Sequence, residues 1–247
     1  RPEAIKLAPV AAALDAIGHA PALIFTGQHP GLRAADHGLE RFAAAQLGCK
    51  GCDDPHAHVG LVSKALLPIL SEWTPALVIV QGDTSSALGG ALTAQFAGVP
   101  LAHVEAGLRS HDLRRPWPEE EFRIAIDARA QLLFAPTELS AANLRRERVR
   151  GRIHVTGNSG LDALPTTERR IRCGSPTLLV TCHRRENWTQ GLAGVAASAI
   201  YWRLTHDAGG LYLSAEILDD VHAQPGRGAD IWGGDGLQLG AAAGVPG

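Results

Sequence analysis

The chain has 247 residues, 45% of them apolar, with 23 Lys and Arg against 25 Asp and Glu. That length allows one large domain or two smaller ones with a buried core, while a net charge of −2 argues against a general nucleic-acid binder, which carries a basic excess or stripe. No apolar run reaches the roughly eighteen residues of a membrane span, and four cysteines without a tight framework fit a reducing cytoplasm.

Residues 3–17 (EAIKLAPVAAALDAI) carry apolar residues on one face and predict a helix. ALIFTG (22–27) is a short apolar run ending in glycine and predicts a strand. LVSKALLPILSEW (61–73) predicts a helix that runs through Pro68. ALVIVQGDT (76–84) is rich in β-branched residues and predicts a strand ending in Gly-Asp-Thr. SSALGGALTAQFAG (85–98) predicts a helix of small residues closed by Gly98, and PLAHVEAG (100–107) the next strand. A helix over 119–130, a strand over 131–137, a helix over 140–149 and a strand over 152–158 follow. Helices alternating with continuous apolar strands predict a parallel α/β sheet covered on both faces. Ligands bind such sheets outside the carboxyl ends of the strands. Asp83, Glu105, Thr137 and Asn158 each fall just past a strand end, on one rim. A second unit begins near residue 165, with a strand in SPTLLVTCHRREN (175–187). After residue 200 the pattern weakens among many glycines. The expected division is a first parallel-sheet domain over 1–164 and a partial second one over 165–247.

Asp83, Glu105 and the glutamates at 119–121 form the main chemical candidate. Carboxylates on neighbouring strand tips can share a pocket, where desolvation and mutual repulsion split them into an acid and a base. Glutamates in the first turn of a helix, just after Pro118, also complement the helix dipole, and Glu120 and Glu121 are read that way. Glu105 leaves a largely apolar strand and is read as a ligand contact. Arg1, Lys6, Arg109, His183, Arg184 and Arg185 form a cationic set that would suit a diphosphate if it faced the same cleft. CKGC (49–52), with His56 and His58, invites a zinc reading, but no second ligand pair follows at a finger's spacing. Surface cysteines are the expectation there, and Cys173 and Cys182 read as ordinary residues beside a strand. No G-x-G-x-x-G follows a strand, and neither a Walker loop nor a G-x-S-x-G elbow occurs.

Seven segments in order resemble the non-hydrolysing UDP-N-acetylglucosamine 2-epimerases: RPEAIKLAPV (1–10), TGQH (26–29), QGDTSSALGGALTAQFAGVPLAHVEAGLRS (81–110), PWPEE (116–120), FAPTELSAANL (134–144), VTGNSGLDAL (155–164) and CHRRENW (182–188). The resemblance spans roughly residues 1–200 and implies two Rossmann-like domains in the GT-B arrangement, with the active site between them. It implies a cytoplasmic homodimer that interconverts UDP-GlcNAc and UDP-ManNAc, without cofactor or metal, and supplies ManNAc units for surface polysaccharide. The C2 proton of the sugar is not acidic, because no carbonyl lies beside it. The family therefore eliminates UDP across C1–C2 to give 2-acetamidoglucal, then adds it back with a proton on the other face. That needs a base, an acid and cations for the leaving diphosphate. By resemblance, Asp83, Glu105 and Glu119 do or support the proton transfers, with the base unassigned. Arg1, Lys6 and His183 serve the diphosphate and leaving group, with Arg109 and Gln238 also on the substrate. Gln28, His29 and Arg184 are candidates for a second, activating UDP-GlcNAc.

The sequence departs from the family pattern in four places. No first strand stands ahead of Arg1; that strand is central in the family, so unpaired backbone is expected in the first sheet. Phe122 stands where Asn is usual. The nucleotide-domain strands and the histidine-proline loop are not recognisable after His183. GGDGLQLGAAAGVPG (233–247) keeps only Gly236 and Gln238 of the segment that holds the ribose. Two other readings stay open: a hydrolysing 2-epimerase or other GT-B enzyme, and a non-catalytic remnant that binds a sugar nucleotide.

Overall fold

The computed structural model describes residues 2–163, and beyond them only the strands at 178–181, 201–207, 210–216 and 238–241. Arg1, His183 and Arg184 lie outside the described residues.

The elements run α1 (Pro2–Ala16), β1 (Leu23–Phe25), β2 (Ala43–Gln46), α2 (Pro55–Trp73), β3 (Val78–Gln81), α3 (Ser85–Phe96), β4 (Leu101–Val104), α4 (Glu119–Asp127), β5 (Leu132–Ala135), α5 (Glu138–Arg146), β6 (Arg152–Val155) and the short α6 (Ser159–Asp162). Two 3-10 turns, Ala34–His37 and Glu40–Phe42, lie between β1 and β2. Further on, β7 (Leu178–Thr181) pairs antiparallel with β10 (Gln238–Ala241), and β8 (Tyr201–Asp207) with β9 (Gly210–Glu216).

Each expected element of the first unit is present, with ends shifted by a few residues. Two differences have local causes. Helix α2 starts earlier than its apolar period suggests. Asp54 caps it by accepting from the backbone N–H of His56 and Ala57, and Pro55 takes the first position, where its missing N–H costs nothing. Strand β2 is Ala-Ala-Ala-Gln, a composition with little strand propensity. It exists because it pairs in parallel with β1.

Strands β3-β4-β5-β6 form one parallel sheet in sequence order. Its core joins Val80, Leu101 and Leu133 of the strands to Phe122 and Ile126 of α4 and Leu144 of α5. Full burial of a side chain such as Phe122 or Leu133 contributes about 1.5–3 kcal/mol. The small residues of α3 let α2 approach closely: a Cβ on Gly89 would lie 2.8 Å from Val62. Strands β1 and β2 form a separate pair. No strand pairing joins β1 to β3 among the described residues. A cavity of about 610 Å³ separates the two pieces. Among the described residues no helix is long and apolar enough to cross a membrane.

Candidate active site at the carboxyl rim

Strand β4 ends at Val104, and Glu105 follows in the left-handed region with φ 71°. A non-glycine residue held there costs on the order of 1–3 kcal/mol and marks a position that the surroundings over-determine. Here the backbone N–H groups of Glu105 and Ala106 both donate to the carbonyl of Phe134, each at 3.0 Å. The turn aims the carboxylate back over the sheet. Lys6 Nζ, from α1, donates to both oxygens at 2.6 Å, and Gln81 Nε2, from the end of β3, donates to Oε2. The two charged side chains are largely buried, at 22% exposure for Lys6 and 16% for Glu105. The sequence expected Lys6 to serve a diphosphate; the structure sets it on Glu105.

Asp83 stands two residues past β3, beyond Gly82, whose φ of 72° turns the chain upward. Its Oδ2 accepts from Arg123 Nη2 of α4. Glu119 opens α4 directly after Pro118 and is half-buried. Thus one carboxylate follows β3, one follows β4, and one heads the helix that delivers Arg123.

Three side chains unremarked in the sequence support this arrangement. His103 is fully buried, with Nδ1 2.6 Å from Asp127 Oδ1 and Nε2 2.9 Å from the carbonyl of Gly82. Asp127 Oδ2 accepts from the backbone N–H of Gly107 at 3.1 Å and pairs with Arg109 Nη1 at 2.8 Å. Asp127 therefore braces the residues that flank both Asp83 and Glu105. Their sequence signals were a histidine inside an apolar strand and an aspartate on the buried side of an amphipathic helix. Arg123, near the head of α4, carries no signal in the sequence that sets it apart.

Two charged residues of this region are buried. Glu120, in the first turn of α4 as expected, is 0% exposed. It accepts backbone N–H groups of Ser110 and His111 at 2.9–3.0 Å and lies 3.4 Å from Arg123 Nη1. It clamps the loop after Glu105. Arg109, expected on the substrate, does not join the cluster around Glu105. Its guanidinium is 1% exposed and bonded to Glu147, Asp127 and the carbonyl of Leu108. Burial opposes its charge, but the bonds to Glu147 and the charges of Asp127 and Glu147 outweigh that and hold its pKa above the ordinary arginine value. Glu121, on the exposed side, meets His56 at 3.2 Å.

Of the regulatory candidates, Gln28 Oε1 accepts from Ser86 Oγ at 2.6 Å, which ties the loop after β1 to the first turn of α3. His29 follows on the exposed side of that loop. Gln238 begins β10, of which only the backbone is described. The cysteine–histidine segment is dispersed. Cys52 Sγ turns to the carbonyl of Asp54, and His58 is buried between Ser85 Oγ and the carbonyl of Cys49. Among the described residues no group of three metal-ligating side chains gathers. Burial pushes the Cys49 thiol pKa up. Phe122, where the resembled family has Asn, is fully buried and meets the His56 ring edge-on at 5.2 Å.

The family model for UDP-N-acetylglucosamine 2-epimerase matches residues 13–201. The chain belongs to that family. A UDP-N-acetylglucosamine 2-epimerase of Salmonella typhimurium is 36% identical over 214 residues, which are 77% of this chain and 56% of the relative. That of Escherichia coli O157:H7 is 34% identical over 249 residues, 91% of this chain and 64% of the relative. The chain thus spans 56% and 64% of the length of these two relatives. The crystal structure of the Neisseria meningitidis enzyme bound to UDP-GlcNAc matches with a TM-score of 0.60 at 34% identity, over 66% of this chain and 45% of that one. The Methanocaldococcus jannaschii enzyme, in complex with UDP-GlcNAc and UDP, matches with a TM-score of 0.61 at 36% identity, over 66% and 46% of the two chains. These likenesses bear out the α/β, GT-B-like fold class.

Proposed function

We propose that this chain contributes the sugar-side half of a UDP-GlcNAc 2-epimerase, which inverts C2 to interconvert UDP-GlcNAc and UDP-ManNAc. The observation that carries it is Glu105, a carboxylate turned back over the sheet on a strained tip and gripped by Lys6 and Gln81, beside the Asp83–Arg123 pair. In the forward direction one carboxylate takes the C2 proton, and the electron pair left behind forms the C1–C2 double bond. The C1–O bond breaks and UDP leaves. In return UDP re-adds at C1 while an acid delivers a proton to the opposite face of C2. Asp83, Glu105 and Glu119 supply the base and acid, and general acid–base catalysis of this kind is worth about 10²–10⁴ in rate. Lys6 holds Glu105 in place, and Arg123 holds Asp83.

The wider expectations stand as part of the same proposal. Arg1, His183 and Gln238 complete the grip on the nucleotide and diphosphate. Gln28, His29 and Arg184 take a second UDP-GlcNAc. Residues 165–247 form the partner domain of a homodimeric cytoplasmic enzyme that serves surface polysaccharide synthesis. The test is proton NMR of UDP-GlcNAc with the protein in D2O. UDP-ManNAc carrying deuterium at C2 is expected, with loss of turnover in Asp83→Asn, Glu105→Gln and Glu119→Gln. Free ManNAc with no UDP-ManNAc would replace the epimerase by a hydrolysing enzyme, and no exchange from folded protein would overturn catalysis.

A further inference from the structure

The amino ends of the strands form the face opposite the carboxyl rim, and the parallel topology collects the ends of the helices there. Helix α2 ends at Trp73, α3 at Phe96 and α5 at Arg146, each a few residues before the next strand begins. Large apolar side chains stand out on this face. Phe96 is 79% exposed, Trp73 39%, and Ile17, one residue past α1, 72%. Scattered singly, such residues need no explanation. Here they share one end of the fold with a concentration of charge.

Between positions 145 and 152 five of eight residues are arginine, and all five are exposed. Arg145 lies 3.5 Å from Glu138, and Glu147 is taken by Arg109. The side chains of Arg146, Arg148, Arg150 and Arg152 have no hydrogen-bond or ion-pair partner among the described residues. Basic residues in the last turn of a helix complement its dipole, which accounts for Arg145 and Arg146. Arg150 and Arg152 lie beyond the helix and have no such role. Arg148 takes φ 55°, the left-handed position after a helix where glycine is the usual choice and where Gly98 follows α3. Two hydrogen bonds join the arginines to the apolar residues. Arg129 Nε donates to Gln95 Oε1 at 2.9 Å, beside Phe96, and Arg152 N–H donates to the carbonyl of Gln131 at 2.8 Å.

We propose that this face docks the protein on an anionic phospholipid surface. The unpaired arginines meet headgroup phosphates, and Phe96, Trp73 and Ile17 enter the interfacial layer, where such side chains are favoured. Of the acids at this end, Glu147 and Asp15 are offset by Arg109 and Arg41, and Glu72, exposed beside Trp73, opposes docking. A nucleic acid would call for aromatic side chains among the basic ones, to stack on bases, or for an element that enters a groove. Here the apolar residues stand at the ends of neighbouring helices, to one side of the arginines, as in a shallow interfacial anchor. Docking by this face leaves the carboxyl rim open to solvent. The inference rests on exposure and charge and stands apart from the epimerase reading.

The test is co-sedimentation of the whole 247-residue chain with vesicles of phosphatidylglycerol and phosphatidylcholine in equal parts, against phosphatidylcholine alone. Binding to the anionic vesicles only is expected, with loss at about 1 M salt, where the screening length falls to about 3 Å. Arg148→Glu with Arg150→Glu should weaken it roughly 25-fold or more, at about fivefold for each charge removed. Phe96→Ser should weaken it roughly tenfold. Arg114→Glu with Arg115→Glu makes the same change of charge in the exposed loop on the opposite rim and should leave binding within about twofold. All these side chains are exposed, so circular dichroism should match the parent chain throughout. Equal losses from the two arginine pairs would overturn the proposal, because net charge would then be acting rather than this face. So would equal binding to phosphatidylcholine, no binding at low salt, or displacement of the vesicles by duplex or single-stranded DNA. A dimer that Phe96→Ser converts to monomer in sedimentation velocity would also overturn it and assign the face to a second copy.

Discussion

Replacing Asp127 by Asn tests the brace beneath the carboxylates. Asp127 is fully buried and takes His103 Nδ1 at 2.6 Å, Gly107 N–H at 3.1 Å and the charge of Arg109 at 2.8 Å. Asn keeps the shape but presents an NH2 group where one of these donors sits, and it removes a counter-charge from a guanidinium that is itself 1% exposed. Breaking a buried pair costs about 3–5 kcal/mol. Glu147 still pairs with Arg109, so the expectation is the lower end, about 3 kcal/mol. At about 2–4 °C per kcal/mol for a chain of this size, Tm falls by about 6–12 °C. Urea unfolding followed by tryptophan fluorescence would show a lower midpoint with an unchanged slope. Because the brace runs through His103 to Gly82 and through Gly107 to the turn at Glu105, C2 exchange should also slow in the folded fraction. A loss below about 1 kcal/mol would refute the reasoning and show that Arg109 does not depend on Asp127.

Lys6→Met should lower epimerisation by about 10²-fold or more while leaving the circular dichroism unchanged, since it removes only the cation on Glu105. Gly107→Ala should cost about 2–4 kcal/mol in urea unfolding, because φ there is 84° and a Cβ would stand 2.3 Å from the carbonyl oxygen of Ser140. Asp54→Ala removes the cap of α2 and should cost about 1 kcal/mol by the same assay. At pH 8 the Cys49 thiol, with its pKa raised by burial, is mostly protonated and should be alkylated by iodoacetamide more slowly than exposed Cys52, as peptide mapping by mass spectrometry would show.

The order of strands and helices was legible because each signal is local. Apolar runs at β3 and β4, and glycines that end elements, act within a few residues of chain. The rim position of Asp83 and Glu105 followed from the same pattern, since a parallel sheet puts every strand's carboxyl end on one side. Alternation could not show β2, whose alanines pair only because β1 lies beside them.

The tertiary structure alone decided which charges meet. Lys6 and Glu105 are 99 residues apart in sequence, Asp83 and Arg123 40 apart, and His103 and Asp127 24 apart. A charged residue reads the same in a sequence whether it is solvated or buried. Glu120 reads in the sequence as a helix-dipole residue, and only the fold brings the 110–111 loop onto its carboxylate. Arg109 reads in the sequence as one of a cationic set, and only the fold sets Glu147 and Asp127 around it. The sequence determines which side chains are available on the rim. Long-range packing determines which are satisfied within the protein and which are left to act on a substrate, because burial makes an uncompensated charge too costly to keep.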